Sequence, residues 1–145
     1  MILIRPMTRD DIPEVAKLEK AIFTRPWSEK VYRETFEIPG VGYIVAELNN
    51  TIVAAAGVRN IAGTGEITNV MVTPDCRRQA IATRMLGNLL DMGRQLGATE
   101  FTLEVRAGNE AAIRLYEKLG FVCEGVRYGF YNDPKEDAKI YWLRG

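Results

Sequence analysis

The sequence contains no histidine and only two cysteines among its 145 residues. The absence of histidine excludes Ser-His-Asp and Cys-His catalysis, and it excludes zinc or haem sites that use histidine ligands. Acid–base chemistry must therefore come from carboxylates, tyrosine, lysine, cysteine or the backbone. Cys76 and Cys123 form no C-x-x-C pattern, so we expect two reduced thiols, with Cys123 in the core.

Long apolar runs and an excess of either charge are also missing. The apolar run Met1 to Ile4 ends at Arg5 and is too short for a signal-peptide core, and no uncharged stretch approaches the roughly 20 apolar residues that span a bilayer. The 19 basic residues balance the 19 acidic ones, which gives no overall attraction for nucleic acid or an acidic membrane. We expect a cytoplasmic protein that binds neither of them directly.

The length and the apolar periodicity predict a single α/β domain over residues 1–145. Helices begin near Thr8 and Ser28, both residue types that cap helices. The order β-α-α-β-β-β-α-β-α-β-β implies a mixed sheet with helices on both faces. Predicted strands cover residues 2–5, 43–48, 52–58, 66–73, 100–105, 121–126 and 138–143, and the later helices cover about 80–96 and 109–119.

A basic loop joins the strand that ends at Pro74 to the long helix that follows. Arg77 and Arg78 lie in this loop, directly before the helix. Unpaired backbone N–H groups and the positive end of the helix dipole make such a junction an anion-binding site. The G-x-x-x-x-G-K-[ST] pattern is absent, so the loop is not a P-loop. A solvated basic turn before an ordinary helix is the alternative interpretation.

Three polar residues follow in the next strand and helix. Glu104 lies near the carboxyl end of its strand, and Asn109 and Tyr116 are seven residues apart. That spacing is two helical turns, so both side chains can line one face about 10 Å apart. Each residue alone has a simpler interpretation: Glu104 as an exposed strand residue, Asn109 as a helix N-cap and Tyr116 as a core aromatic.

Taken together, the two regions resemble the GNAT superfamily of N-acetyltransferases. The motif V-x-P-x-x-[QR]-R-x-G-[IV]-[AG] aligns with Val72 to Ala82, and N-x-x-A-x-x-L-Y-x-x-x-G-F with Asn109 to Phe121. The resemblance covers essentially the whole chain. It implies a GNAT-like fold with a mixed, mostly antiparallel sheet, and acetyl-CoA as co-substrate without a metal.

The resemblance also implies roles for particular residues. Glu104 matches the general base of the family and Tyr116 the general acid. Strand backbone would contact the acetyl and pantetheine portion of acetyl-CoA, amide N–H groups at the start of the helix would wrap the pyrophosphate, and Asn109 would contact the pantetheine arm. The implied cofactor-binding residues are Val70, Met71, Val72, Arg77, Arg78, Gln79, Ala80, Ile81, Ala82, Thr83 and Asn109.

Ala80 stands where the family usually has glycine. We expect a helix-like φ at this position, which alanine tolerates. The added methyl group is expected to crowd a phosphate oxygen and to weaken cofactor binding modestly.

The segments Pro26-Trp27-Ser28, Leu103 to Arg106 and Tyr131 to Ala138 are similar to those of bacterial members that acetylate the N-terminal alanine of a small-subunit ribosomal protein. The resemblance therefore implies the N-terminus of a ribosomal protein, or of another peptide, as acceptor. Deprotonating an α-amine at pH 7 costs roughly 1–1.4 kcal/mol, against about 4.6 kcal/mol for lysine, which favours the α-amine. An acetyltransferase for small amines or lysine side chains, and a CoA-binding module without catalysis, remain as alternatives.

The zero net charge is expected to hide a local division of charge. Arg77 and Arg78 would face the phosphates of the cofactor. Glu29, Glu34 and Glu37 are predicted to lie nearer a basic peptide.

Overall fold

A seven-stranded mixed sheet organises the chain in the computed structural model, which describes residues 2–76 and 80–145. The predicted order of elements and the predicted fold class are confirmed. The strands are β1 Ile2–Pro6, β2 Val41–Leu48, β3 Thr51–Ile61, β4 Thr64–Val72, β5 Glu100–Arg106, β6 Val122–Tyr131 and β7 Glu136–Arg144. The helices are α1 Ile12–Ile22, α2 Glu29–Phe36, α3 Ile81–Gln95 and α4 Glu110–Lys118.

Local signals in the sequence account for several element ends. The Oγ of Ser28 accepts a hydrogen bond from Val31 N at 3.2 Å and caps α2, as predicted. Asn49 and Asn50 both have positive φ, 52° and 66°, which is the backbone of the tight hairpin turn between β2 and β3.

The last hairpin differs from its prediction. β6 continues to Tyr131 and β7 begins at Glu136, because the two strands keep pairing beyond their apolar residues. β6 is an edge strand whose side chains are mostly exposed, so the apolar alternation that marks a half-buried strand is weak there. For the same reason the prediction of a buried Cys123 is wrong, since this β6 thiol is exposed.

The strand order is β1-β2-β3-β4-β5-β7-β6. All neighbours are antiparallel except β4 and β5, whose parallel pairing runs only from Thr64 opposite Glu100 to Glu66 opposite Thr102. Gly65 lies within this short pairing, where a Cβ would come 2.6 Å from the Phe101 ring. Beyond Glu66 and Thr102 the two strands separate, and the sheet has a gap.

A β-bulge in β4 lies at the start of this gap. Asn69 and Val70 oppose the single β3 residue Ala56, and the register shifts between Ala55 and Gly57. Asn69 has a left-handed φ of 54°. Because a bulge bends its strand and increases the local twist, it directs the end of β4 away from β5.

Two hydrophobic clusters cover the two faces of the sheet. Ile44 and Ala46 belong to the cluster beneath α3 and α4, whereas Tyr43 and Val45 belong to the cluster beneath α1 and α2. This alternation along β2 follows from the period of two in a strand. Within the described ranges, no helix is both long and apolar enough to cross a membrane.

Candidate active site

A cavity of about 890 Å³ occupies the gap between β4 and β5. Its walls include residues 67–72 of β4 and 103–106 of β5, together with the first residues of α3. The loop before α2 and the tip of the last hairpin border it on the other side of the sheet. A smaller cavity of about 440 Å³ adjoins it and contains Trp27, Glu66 and Tyr131.

Most of the residues singled out from the sequence line the larger cavity. These are Val70, Met71, Val72, Ala80, Ala82, Thr83, Glu104, Asn109 and Tyr116. The side chain of Ile81 is instead buried in the core at 1% exposure, so only its backbone is available to a ligand. Arg77, Arg78 and Gln79 lie outside the described residues.

Glu104 and Tyr116 reach this cavity from opposite faces of the sheet. On β5, Leu103 and Val105 are buried in the cluster beneath α3 and α4, so Glu104 between them points to the other face. Tyr116 of α4 belongs to that same cluster. Both side chains line one cavity because no strand closes the gap between β4 and β5.

The Glu104 carboxylate is one-third exposed, and its Oε1 lies 3.8 Å from Nη1 of Arg127. Arg127 also lies over the Phe130 ring, 5.4 Å from the ring centroid. An exposed ion pair at this distance contributes little free energy. The pair therefore leaves Glu104 free to exchange its partner for a substrate amine.

The Tyr116 hydroxyl is in a different environment. Burial raises the pKa of Tyr116 well above its ordinary value of 10, and the nearby Tyr131 raises the pKa further. The phenol is therefore protonated throughout the neutral range.

Two turns before Tyr116, the Oδ1 of Asn109 accepts a hydrogen bond from Ala112 N at 3.2 Å and caps α4.

The tip of the last hairpin is attached to β5 and to the loop before α2. Arg106 donates hydrogen bonds to the carbonyls of Pro134 at 2.9 Å and Asn132 at 3.1 Å, and its guanidinium stacks 4.4 Å from the Tyr131 ring centroid. On the far side, Arg25 forms an ion pair with Asp133 at 3.1 Å. These contacts hold the tip of the hairpin against the end of β5 and against the loop before α2.

The prediction that three acidic residues in α2 and just after it lie nearer a basic peptide is wrong. Glu29, Glu34 and Glu37 line neither cavity. Glu29 pairs with Arg33 at 3.2 Å, and Glu37 pairs with Arg9. The helix buries Tyr32 and turns its charged face to solvent.

The predicted helix-like backbone at Ala80 is also wrong. Ala80 has φ 56° and ψ 14°, in the left-handed region, and α3 begins one residue later at Ile81. For an L-residue with a Cβ, left-handed backbone costs roughly 1–2 kcal/mol, which explains why glycine suits this position.

The sequence analysis did not predict the bulge at Asn69 or the burial of Glu19, although the sequence contains an indication of each. Asparagine is depleted in strands and tolerates left-handed φ, so Asn69 within a β-branched segment indicated a bulge. Glu19 lies four residues after Val15, which is the spacing of the buried face of α1.

The chain belongs to the acetyltransferase (GNAT) family, whose family model matches residues 12–121. It is an acetyl-CoA-dependent N-acetyltransferase, as the sequence predicted. A protein of Bacillus subtilis (strain 168) named putative ribosomal protein bS18-alanine N-acetyltransferase is 31% identical over 141 residues, which cover 97% of this chain and 93% of that protein.

Two further similarities come from Escherichia coli. The ribosomal protein bS18-alanine N-acetyltransferase of strain K12 is 33% identical over 147 residues, covering 99% of this chain and 97% of that protein. The crystal structure of the E. coli ribosomal-protein-S18-alanine N-acetyltransferase superposes with a TM-score of 0.88 at 32% identity, covering 99% of this chain and 93% of that one.

Replacing Ala80 by glycine should raise the free energy of unfolding by up to about 1 kcal/mol, because glycine relieves the left-handed strain and only part of the gain is lost to unfolded-state entropy. Acetyl-CoA should also bind more tightly, because the crowding methyl group is removed. Ala82→Gly is the matched control inside α3 and should instead destabilise by about 0.5–1 kcal/mol. Urea unfolding measures the stability and calorimetric titration measures acetyl-CoA binding. An Ala80→Gly protein that is less stable contradicts the strain at this position, and one that binds acetyl-CoA equally or more weakly contradicts the crowding by the methyl group.

Proposed function

We propose that the protein transfers the acetyl group of acetyl-CoA directly to the N-terminal amine of a peptide, with the N-terminal alanine of a ribosomal protein as the acceptor. The observation that carries the proposal is that Glu104 and Tyr116 line one cavity from opposite faces of the sheet. The names of the B. subtilis and E. coli relatives, at 31% and 33% identity over nearly the whole chain, support this acceptor.

The donor side of the cavity fits acetyl-CoA. Among the described residues, positions 67–71 of β4 pair with no residue of β5, so this stretch of the strand can accommodate an extended amide chain such as a pantetheine arm. The amino terminus of α3, from Ala80 to Thr83, lines the same cavity, and helix N-termini bind phosphate groups. When bound, acetyl-CoA supplies an acetyl group activated as a thioester.

Glu104 is the general base of the proposed reaction. The acceptor amine must lose a proton before it can attack a carbonyl carbon, and a carboxylate can accept that proton directly or through one water molecule. An N-terminal amine has a pKa of about 7.7–8.0, against about 10.4 for lysine. Deprotonating the N-terminal amine near pH 7 therefore costs less free energy than deprotonating lysine. Glu104 also borders the smaller cavity beside Trp27, from which we expect the peptide to approach.

Tyr116 is the general acid. Its buried hydroxyl carries the proton that the leaving thiolate needs. The burial that raises the pKa of Tyr116 destabilises any anion in the same cavity, the thiolate included. The difference in proton affinity between the phenol and the thiol is therefore smaller than the raised pKa alone implies.

A covalent enzyme intermediate is not part of the proposal. Neither Cys76 nor Cys123 is among the residues that line the two described cavities. Cys76 is buried and Cys123 is exposed on the edge strand, so neither thiol is positioned to attack the thioester.

Glu104→Gln should lower kcat on an alanine-terminated peptide by roughly 10²–10⁴-fold at pH 7, because the amide cannot accept the proton. The loss should shrink above about pH 8, where the α-amine is already neutral. Tyr116→Phe should lower kcat by a similar factor without this recovery. Glu34→Gln and Tyr128→Phe are matched controls at exposed positions outside both cavities and should keep wild-type kinetics. Unchanged turnover of both site variants across the pH range would defeat the two assignments.

The acceptor can be tested with three compounds: an alanine-terminated peptide with an internal lysine, the same peptide with a blocked N-terminus, and lysine as a free amino acid. Mass spectrometry should find acetylation at the alanine amine alone. In cells, deletion of the gene should leave one ribosomal protein with an unacetylated N-terminal alanine. Modification of the blocked peptide would instead favour the lysine or small-amine alternative, and acetyl-CoA binding without transfer to any of the three compounds would favour the non-catalytic module.

A further inference from the structure

A buried carboxylate that the proposed reaction does not use lies at the centre of the α1–α2 side of the molecule. Glu19 is 1% exposed, and it is the one buried charged side chain among the described residues. Burying a carboxylate costs several kcal/mol unless donors surround it, and a well-packed apolar side chain is often no less stable. Its presence therefore calls for a reason other than stability.

Three donors from three different segments converge on Glu19. The Tyr32 hydroxyl of α2 and the Nδ2 of Asn69 in β4, the latter at 2.9 Å, both donate to Oε1. The backbone N–H of Trp27, in the loop before α2, donates to Oε2. The carboxylate thus connects a helix, a loop and a strand of the sheet.

The Asn69 end of this network determines the donor side of the cavity. Asn69 is the bulge residue of β4, three positions beyond the last β4–β5 pair, and its φ of 54° is left-handed. Its Oδ1 is buried and has no hydrogen-bond partner among the described residues. An unpaired buried oxygen destabilises the fold, so Oδ1 does not stabilise this orientation of the side chain. The hydrogen bond from Nδ2 to Glu19 stabilises it instead.

The Trp27 end of the network determines the acceptor side. Trp27 lines the smaller cavity together with Glu104, and its ring packs edge-on against Tyr32 with the centroids 5.5 Å apart. A shift of the Trp27 backbone would therefore move a wall that faces the general base.

We infer that Glu19 is a positioning residue that fixes the donor and acceptor walls of the cavity relative to each other, through Asn69 on one side and Trp27 on the other. The inference rests on the proposed function for the identity of the two walls. It assigns no contact between Glu19 and substrate. Its effect on the reaction is through geometry, where displacements of about 1 Å can lower rates by as much as 10²-fold.

Asn69→Gly tests the donor side, because glycine adopts left-handed φ without strain, so the bulge keeps its backbone while the side-chain bond to Glu19 is lost. We expect KM and Kd for acetyl-CoA to rise roughly tenfold, with a smaller change in KM for the peptide. Asn60→Gly is the matched control: it makes the same substitution in β3, where Asn60 Nδ2 donates to the Leu96 carbonyl at 2.8 Å, at a residue that lines neither cavity. It should lower Tm while leaving both KM values unchanged.

Glu19→Gln tests both sides together. A glutamine amide presents one acceptor and one donor, so it cannot accept from both Trp27 N–H and Asn69 Nδ2, and KM should rise for acetyl-CoA and for the peptide. Wild-type KM values in Asn69→Gly and Glu19→Gln would overturn the inference. Equal losses of activity in Asn60→Gly and Asn69→Gly would also overturn it, because they would trace the effect to general destabilisation.

Calorimetric binding of acetyl-CoA without acceptor separates this inference from the proposed function. If the wild-type protein binds acetyl-CoA but does not acetylate the alanine peptide, the proposed acceptor is wrong, and weaker binding by Asn69→Gly still supports the role of Glu19 on the donor side. If the wild-type protein acetylates the peptide and Asn69→Gly binds acetyl-CoA equally well, the role of Glu19 is wrong and the function stands.

Discussion

The separation of β4 from β5 is the constraint on which the active site depends. Two parallel strands that share only three paired positions leave a gap between β4 and β5. Through this gap, Glu104 on one face and Tyr116 beneath the other face line the same cavity. A sheet that was fully paired at this point would keep Glu104 and Tyr116 on opposite sides of a closed layer.

The chemistry follows from what the chain lacks. Without histidine, the proposed reaction assigns proton removal and proton donation to two groups whose ordinary pKa values lie far from neutrality, a carboxylate and a phenol. This division suits an N-terminal amine better than lysine, because a pKa of about 7.7–8.0 leaves a larger neutral fraction at physiological pH than a pKa of about 10.4 does. The environments agree with the proposed roles: Glu104 is partly exposed, while Tyr116 is buried and remains protonated.

Much of the fold could be predicted because its signals are local. The apolar periodicities, the cap at Ser28 and the Asn49-Asn50 turn each depend on a few neighbouring residues, and the order of elements followed from them. The bulge at Asn69 and the end of β4–β5 pairing depend on strand register between distant segments, which periodicity does not encode. The backbone conformation of Ala80 was predicted wrongly because the motif specifies the residue type at this position and does not specify its φ. The positions of Glu29 and Glu37 depend on which face α2 turns inward, and Tyr32 decides that.

The most direct test of the account is hydrogen–deuterium exchange of the backbone amides with and without CoA. The account predicts that CoA slows exchange at residues 67–72 of β4 and at the start of α3, around residues 80–83, while β1 and residues 122–126 of β6 exchange as before. Protection confined to other parts of the sheet, with no change at the end of β4, would contradict the claim that the gap between β4 and β5 is the site of acetyl transfer.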